Sequence, residues 1–167
     1  MNDQIIYQRR SIRRFTNQPL NENTLQKIYK AAFNAPSAMN RQPWELIVIN
    51  QKPLLAQIAQ AHPHAPLQDA PVAIVVCGNT QKAWEEYWVC DCGAATQNML
   101  LAATAENLGS LWAGVYPRQE RMKAIQQVLH LPDHIKPFSL VVLGMKAEEK
   151  EPNDRFLPNA IHYNDKF

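Results

Sequence analysis

The chain has 167 residues and suits a single domain over 1–167, which at this size buries roughly 70% of its unfolded surface. Apolar residues make up 46% of the sequence and charged residues 19%, with a net charge of +2. So weak an overall charge argues against general binding to nucleic acid or membrane surfaces. The start lacks an apolar leader, and the three cysteines lack the spacing of a disulfide framework, which together predict a cytoplasmic protein with reduced thiols.

Apolar spacing in the first third of the chain predicts two helices and a strand. A short amphipathic helix is expected over 2–10 and a second helix over 24–35. The loop at 36–43 contains two prolines and small polar residues, and it leads directly into a strand over 44–50. The apolar residues at helical spacing in the second helix are Leu25, Ile28, Ala32 and Phe33.

The middle of the chain predicts a helix over 52–61, followed by an irregular and exposed proline-rich stretch over 62–71. The run over 72–78 is apolar at consecutive positions, which indicates a central strand covered on both faces. The longest helix is expected from about 84 to 107, and Gly109 is the predicted C-terminal cap.

This longest helix has no charged residue between 92 and 105, so it must be buried on nearly all sides, and a second subunit is the expected cover. Beyond it, strands are predicted over 110–116 and 136–145, with a helix over 118–129 between them. The tail over 146–167 lacks core periodicity but carries several large apolar residues, which predicts packing against a neighbouring chain. The tally indicates an α+β fold, with a sheet of four to five strands flanked by helices.

Most familiar catalytic patterns are missing. The five glycines form neither G-x-G-x-x-G nor a phosphate loop, and no serine lies in G-x-S-x-G. Cys90 and Cys92 enclose one residue, a spacing that favours core cysteines over a zinc site, so no metal site is predicted. His62 and His64 are expected to be exposed loop residues rather than metal ligands. The chain is therefore either not an enzyme or one whose bound cofactor carries the reaction.

The stretch "RRSIRR" places four arginines among residues 9 to 14. Arg9, Ser11 and Arg13 alternate, and in extended chain they can converge on one ligand. Two guanidiniums and a hydroxyl suit a phosphate group. On these residues alone, a solvated basic face or a salt bridge between subunits is the more ordinary explanation.

The segment "APSAMNRQPWELIVI" (35–49), preceded by this basic stretch, resembles the signature loop of the nitroreductase-like flavoprotein family. Downstream, 91–109 is similar to the family's long interface helix, and "SLWAGVYP" (110–117) to the strand and turn that pass the flavin. The segment "NDRFLPNAIHY" (153–163) is similar to its C-terminal segment. The resemblance implies a three-layer fold with a mixed, mostly antiparallel sheet and a C-terminal segment packed on the partner. It further implies a homodimer with FMN at the subunit interface.

The same resemblance implies a set of FMN-binding residues. Those expected at the phosphate are Arg9, Arg10, Ser11 and Arg155, and Arg13 is expected near the N1–C2=O edge of the ring. Those expected to reach across from the other subunit are Pro36, Ser37, Asn40 and Gln42. Those whose backbone is expected to approach flavin N5 are Trp112, Ala113 and Gly114.

The implied function is an FMN-dependent oxidoreductase with NADH or NADPH as electron donor. Hydride would pass by a ping-pong mechanism to N5 and on to a nitro compound, a quinone or a similar acceptor, so the flavin rather than a side chain would be catalytic. A flavin-binding or sensing protein without significant turnover is the alternative. A nucleic-acid or anion-binding module is disfavoured, because no basic stripe with interleaved aromatics follows.

Two features depart from the family pattern. Asn153 stands where the family often has a second basic residue before the C-terminal arginine. Phosphate binding is therefore expected to depend more on Arg9 and Ser11. No long inserted lid is predicted between the strands at 71–78 and 111–117, so the pocket should be open, with residues 62–68 as its expected local wall.

Overall fold

The computed structural model describes residues 4–164, and a four-stranded sheet lies at its centre. The strands are β1 (Trp44–Ile49), β2 (Val72–Asn79), β3 (Gly109–Gly114) and β4 (Ile135–Gly144), in the spatial order β1-β2-β4-β3. All three pairings are antiparallel. The predicted α+β fold with a mostly antiparallel sheet is therefore confirmed, and the parallel component is confined to an isolated bridge between Ser11 and Ser110.

The two central strands explain why the apolar runs in the sequence show no alternation. Every residue of β2 is buried, as is β4 from Pro137 onward. Because successive side chains of a strand point to opposite faces, consecutive burial means that both faces of the sheet are covered. The register brings Ile74 of β2 opposite Val141 of β4, in the middle of this core.

Among residues 4–164, five α-helices surround the sheet. They are α1 (Gln4–Gln8), α2 (Glu22–Phe33), α3 (Lys52–Ala61), α4 (Trp88–Ala105) and α5 (Gln119–Val128). Helix α4 contacts all four strands and carries α2 on its outer side, whereas α5 packs on β4 and α3 packs on α5. Within residues 4–164, no helix combines the length and apolar character that crossing a membrane requires.

The bounds of α4 correct two predictions. The helix begins at Trp88 rather than at 84, because residues 85–87 form a separate 3-10 turn in which Glu85 has φ 49°. Gly109 is not the cap, since it is the first residue of β3 and Asn107 is the residue in the left-handed region, with φ 58°. Gly109 is needed for close packing instead, because a Cβ there would lie 2.9 Å from Ile12 Cγ2.

Burial corrects three further expectations. The stretch over 62–71 is only partly exposed: His62, Ala65 and Leu67 are buried, because turns at His62 and Ala65 fold it back onto the core. His64 is exposed as expected. Phe33, expected to face inward, is half exposed at the end of α2. Of the two cysteines expected in the core, Cys92 is buried but Cys90 is exposed, because it lies on the other side of α4.

Candidate functional site

Three arginines from the two ends of the chain line one cavity. Arg9, Arg10 and Arg155 border a space of about 630 Å³ between α1 and the C-terminal segment. Burial lowers the pKa of Arg9, and the neighbouring charges of Arg155 and Arg10 lower it further. Among residues 4–164, the ion pairs all involve other side chains. Like charges brought together in this way favour an anion between them.

Asn153 has a part in this cavity that the sequence did not suggest. Its side-chain oxygen accepts a hydrogen bond of 2.8 Å from the guanidinium of Arg10. Asn153 therefore orients the guanidinium of Arg10. Asp154 also lines the cavity, but one of its carboxylate oxygens accepts the backbone N–H of Phe156, 2.9 Å away.

Ser11 connects this arginine cavity to the sheet. It forms the isolated parallel bridge with Ser110, and the N–H of Ile12 donates to the carbonyl of Ser110 across 2.9 Å. Arg13 follows on the exposed side. Its backbone N–H donates to the carboxylate of Glu148, 2.6 Å away, which with Lys150 lowers the pKa of Glu148. Among residues 4–164, the guanidinium of Arg13 makes one long contact, 3.5 Å, with the carbonyl of Ser11.

Strand β3 presents backbone groups at the open edge of the sheet. It is the last strand in the order, and the carbonyl oxygens of Ser110 and Gly114 both bond away from β4, to Ile12 and to side chains respectively. Because backbone groups alternate along a strand, those of Trp112 face the same edge. The predicted residues Trp112 and Gly114 therefore share one edge, whereas Ala113 is buried and faces the core.

The fold of the chain does not itself require a glycine at position 114. Its φ is not positive, and a Cβ added to it would meet nothing within 4 Å. By contrast, a Cβ at Gly78, Gly109 or Gly144 would lie within 3 Å of a neighbouring side chain. On either side along the chain, the rings of Trp112 and Tyr116 pack on Phe138, with centroids 5.7 and 6.2 Å away. Gly114 therefore leaves open space where a ligand can approach the backbone.

The predicted loop over 36–43 is held in an unusual conformation. Met39, Asn40 and Gln42 all have φ near +50°. The hydroxyl of Ser37 accepts the N–H of Gln42 across 2.9 Å, and a weaker side-chain contact of 3.4 Å joins Gln42 to Asn40. Pro36, Asn40 and Gln42 are exposed. Between residues 4 and 164, no hydrogen bond joins this loop to the lining of the arginine cavity or to Gly114.

The sequence analysis assigned no role in this site to three residues that the structure places there. Asp91 on α4 is buried, and one of its carboxylate oxygens accepts the N–H of Ala38 across 2.9 Å, which fastens the loop to the helix. His62 and Arg121 both contact the carbonyl oxygen of Gly114. No motif surrounds any of the three. The one available signal was an aspartate within an otherwise uncharged helical run, which needs a partner if it is buried.

Comparison with known proteins places this arrangement in a family. The model of the nitroreductase family matches residues 6–62 and 55–145. The chain belongs to the nitroreductase family. The resemblance stated for the sequence is thereby confirmed.

Individual nitroreductase-family relatives match over nearly their whole length. One from Archaeoglobus fulgidus, provisionally named an NADH dehydrogenase/NAD(P)H nitroreductase, is 45% identical over 95% of this chain and 94% of its own. An FMN-dependent nitroreductase from Clostridium difficile superposes with a TM-score of 0.90 at 29% identity, covering 96% of this chain and 98% of the other. A provisionally assigned nitroreductase from Desulfovibrio desulfuricans, solved in complex with FMN, has a TM-score of 0.84 at 29% identity and covers 96% and 95%.

The residues of this nitroreductase-family chain fit the two ends of an FMN molecule. The arginine cavity offers guanidinium donors for a phosphate, and the open edge of β3 allows a flat ring to approach the backbone at Gly114. Ser11 lies between the two, at the bridge to Ser110. In the loop over 36–43, Pro36, Asn40 and Gln42 are exposed, whereas Pro43 is buried immediately before β1.

Proposed function

We propose that the protein is an FMN-dependent NAD(P)H oxidoreductase that reduces nitro compounds, quinones or similar acceptors. The observation that carries this proposal is the collection of Arg9, Arg10 and Arg155 around one cavity, which the bridge between Ser11 and Ser110 connects to the strand that ends at Gly114. The FMN named for the related structures from Clostridium difficile and Desulfovibrio desulfuricans supports the choice of cofactor. The nicotinamide donor follows from the name of the Archaeoglobus fulgidus relative.

Each group of residues has a separate task in this proposal. Arg9, Arg10 and Arg155 would bind the phosphate, with the hydroxyl of Ser11 as a further donor. Arg13, whose side chain has little to hold it within the chain, would lie where negative charge develops on reduction. The backbone groups of Trp112 and Gly114 would face the N5 edge. Bound FMN would supply the redox chemistry by accepting hydride at N5 and passing it to the acceptor.

The proposal includes a homodimer in which Pro36, Ser37, Asn40 and Gln42 of one subunit complete the site of the other. Its support is a set of large apolar side chains that a single chain leaves in water, which is unusual unless a partner covers them. These lie on α1, at the end of α2, in the loop and along the C-terminal segment, and they are Ile6, Tyr7, Phe33, Met39, Phe156, Leu157, Ile161 and Tyr163. Phe167, one of the large apolar residues of the tail over 146–167, lies outside the described residues.

The test of the proposal is the colour and redox behaviour of the purified protein. A flavin absorbance band that is released on denaturation and bleaches anaerobically with NADH or NADPH is the expected result. Flavin that binds but does not bleach would favour the binding or sensing protein. A colourless protein that takes up no added FMN would refute both flavin functions.

The phosphate assignment has its own test. Arg9→Ala and Arg155→Ala should each weaken FMN binding by about 1.5–3 kcal/mol, the range for a hydrogen bond to a charged group. Arg14→Ala is the matched control, because Arg14 belongs to the same basic stretch but is exposed and lies outside the cavity. Unchanged affinity in both cavity variants would remove the assignment, as would an equal loss in the control.

A further inference from the structure

His62 and Arg121 meet at one atom, the carbonyl oxygen of Gly114. The imidazole Nε2 of His62 lies 2.9 Å from that oxygen, and a terminal guanidinium nitrogen of Arg121 lies 2.9 Å from it as well. The two nitrogens are 3.2 Å apart. This is the geometry of two donors that share one acceptor, and a carbonyl oxygen has two lone pairs with which to accept both.

The surroundings of His62 indicate which of its nitrogens carries the proton. The side chain is 2% exposed, and Nδ1 is buried without a hydrogen-bond partner. A proton on Nδ1 would leave a buried N–H unsatisfied and would turn the Nε2 lone pair towards the oxygen of Gly114. The ring is therefore neutral, with its proton on Nε2. Burial lowers the pKa of His62, as does the charge of Arg121, in keeping with a neutral ring.

The tie is made on the outer side of β3, whereas on the inner side Gly114 pairs in register with Ser139 of β4. Gly114 is the last residue of the edge strand β3, has no side chain and borders open space. Glycine adopts more backbone conformations than any other residue. In a strand, the N–H and the C=O of one residue point to the same side, so fixing the carbonyl also fixes the direction of the N–H.

We propose that His62 and Arg121 are positioning residues that hold the backbone of Gly114 so that its N–H is presented to the flavin. The inference rests on the proposed function, because it assigns these two side chains a role at the same site. They act through Gly114. His62 lies in the segment over 62–71 and Arg121 lies on α5, so two separate parts of the chain hold the carbonyl oxygen of Gly114.

This role predicts a difference between the two redox states of the ligand. The N5 atom accepts a hydrogen bond in oxidised FMN but carries hydrogen in reduced FMN, so a misdirected N–H weakens binding of the oxidised form more. Loss of one neutral hydrogen bond corresponds to about a three- to tenfold change in the dissociation constant. A general loosening of the fold would instead weaken both forms alike.

The experiment measures the dissociation constants of oxidised and dithionite-reduced FMN for purified variants, together with the thermal unfolding of each protein. His62→Leu replaces a neutral donor by a neutral side chain that cannot donate. It should raise the dissociation constant for oxidised FMN about three- to tenfold, with less than a twofold change for reduced FMN. A tenfold change in the ratio corresponds to an upward shift of about 30 mV in the two-electron midpoint potential. His62→Gln, which keeps an N–H at similar reach, should restore the ratio to within about twofold.

A second pair of variants keeps the test decisive if His62→Leu does not fold. Arg121→Lys conserves the charge but loses the guanidinium geometry, and it should change the ratio in the same direction. Lys123→Arg is its control, since Lys123 is exposed on the same helix α5. Wild-type protein that takes up no FMN would overturn the proposed function and this inference together. Normal wild-type binding with an unchanged ratio in both His62→Leu and Arg121→Lys would overturn the inference alone.

Discussion

Replacing Gly114 by alanine should affect the stability of the fold and the affinity for FMN in opposite directions. Since a Cβ at this position meets nothing within 4 Å and φ is not positive, the folded chain has room for the added methyl group. The unfolded chain loses freedom when glycine becomes alanine, so the free energy of unfolding should rise by about 0.4–1 kcal/mol. In denaturant titrations without flavin, the variant should therefore be at least as stable as the wild type.

The same methyl group would project into the space where the flavin is proposed to lie. An extra methyl in a packed contact costs about 1–3 kcal/mol, which corresponds to a roughly 5- to 150-fold loss of FMN affinity. Titration of the apoprotein with FMN, followed by flavin fluorescence, measures this loss. An alanine variant that binds FMN as tightly as the wild type would refute the placement of the ring against Gly114.

Gly109→Ala provides the contrast. There the new Cβ would lie 2.9 Å from Ile12 Cγ2 and 3.1 Å from Phe15 Cε1, both in the core. Overpacking of this kind should lower the free energy of unfolding by about 1–3 kcal/mol in the absence of any ligand. Equal stabilities of the two alanine variants would show that the packing around these glycines has been misread.

Three further predictions follow from single contacts. Burial keeps the pKa of His62 below its usual value, so on acidification the histidine is protonated in the unfolded chain before it is protonated in the folded one. The free energy of unfolding should therefore fall as the pH drops from about 7.5 to about 5.5. Denaturant titrations should show a smaller fall in His62→Gln. An identical fall in the variant would contradict the assignment. Asp91→Ala should speed hydrogen exchange of the Ala38 amide roughly 10- to 150-fold, the equivalent of losing a charged hydrogen bond, and unchanged exchange would show that Asp91 does not hold the loop. Dilution that separates the subunits, followed by analytical ultracentrifugation, should release FMN in parallel; a monomer that retains it would argue against a shared site.

The local pattern of the sequence was sufficient for most of the secondary structure. Consecutive apolar residues identified β2 as a central strand, because only a strand covered on both faces can bury such a run. Helical spacing located α2, α3 and α5 to within a few residues. The ends of α4 were predicted less accurately. Its C-terminus depends on Asn107 adopting a positive φ, and its N-terminus depends on a turn at Glu85.

The candidate site divides in the same way. The arginines of "RRSIRR" and the loop over 36–43 could be recognised as local motifs, because each lies within one short segment. Neither motif shows that Asn153 orients Arg10, or that Asp91 holds the loop at Ala38. These partners are far apart along the chain, and periodicity records only which face of an element is buried.

By itself, the sequence determined the order of helices and strands, the central place of β2 and the family likeness. The tertiary structure alone decided that Asn153 orients Arg10, that His62 is buried and that it meets Arg121 at Gly114. The physical reason is that hydrophobic spacing is a property of neighbouring residues, whereas the position of a charge or a hydrogen bond depends on how separate elements pack.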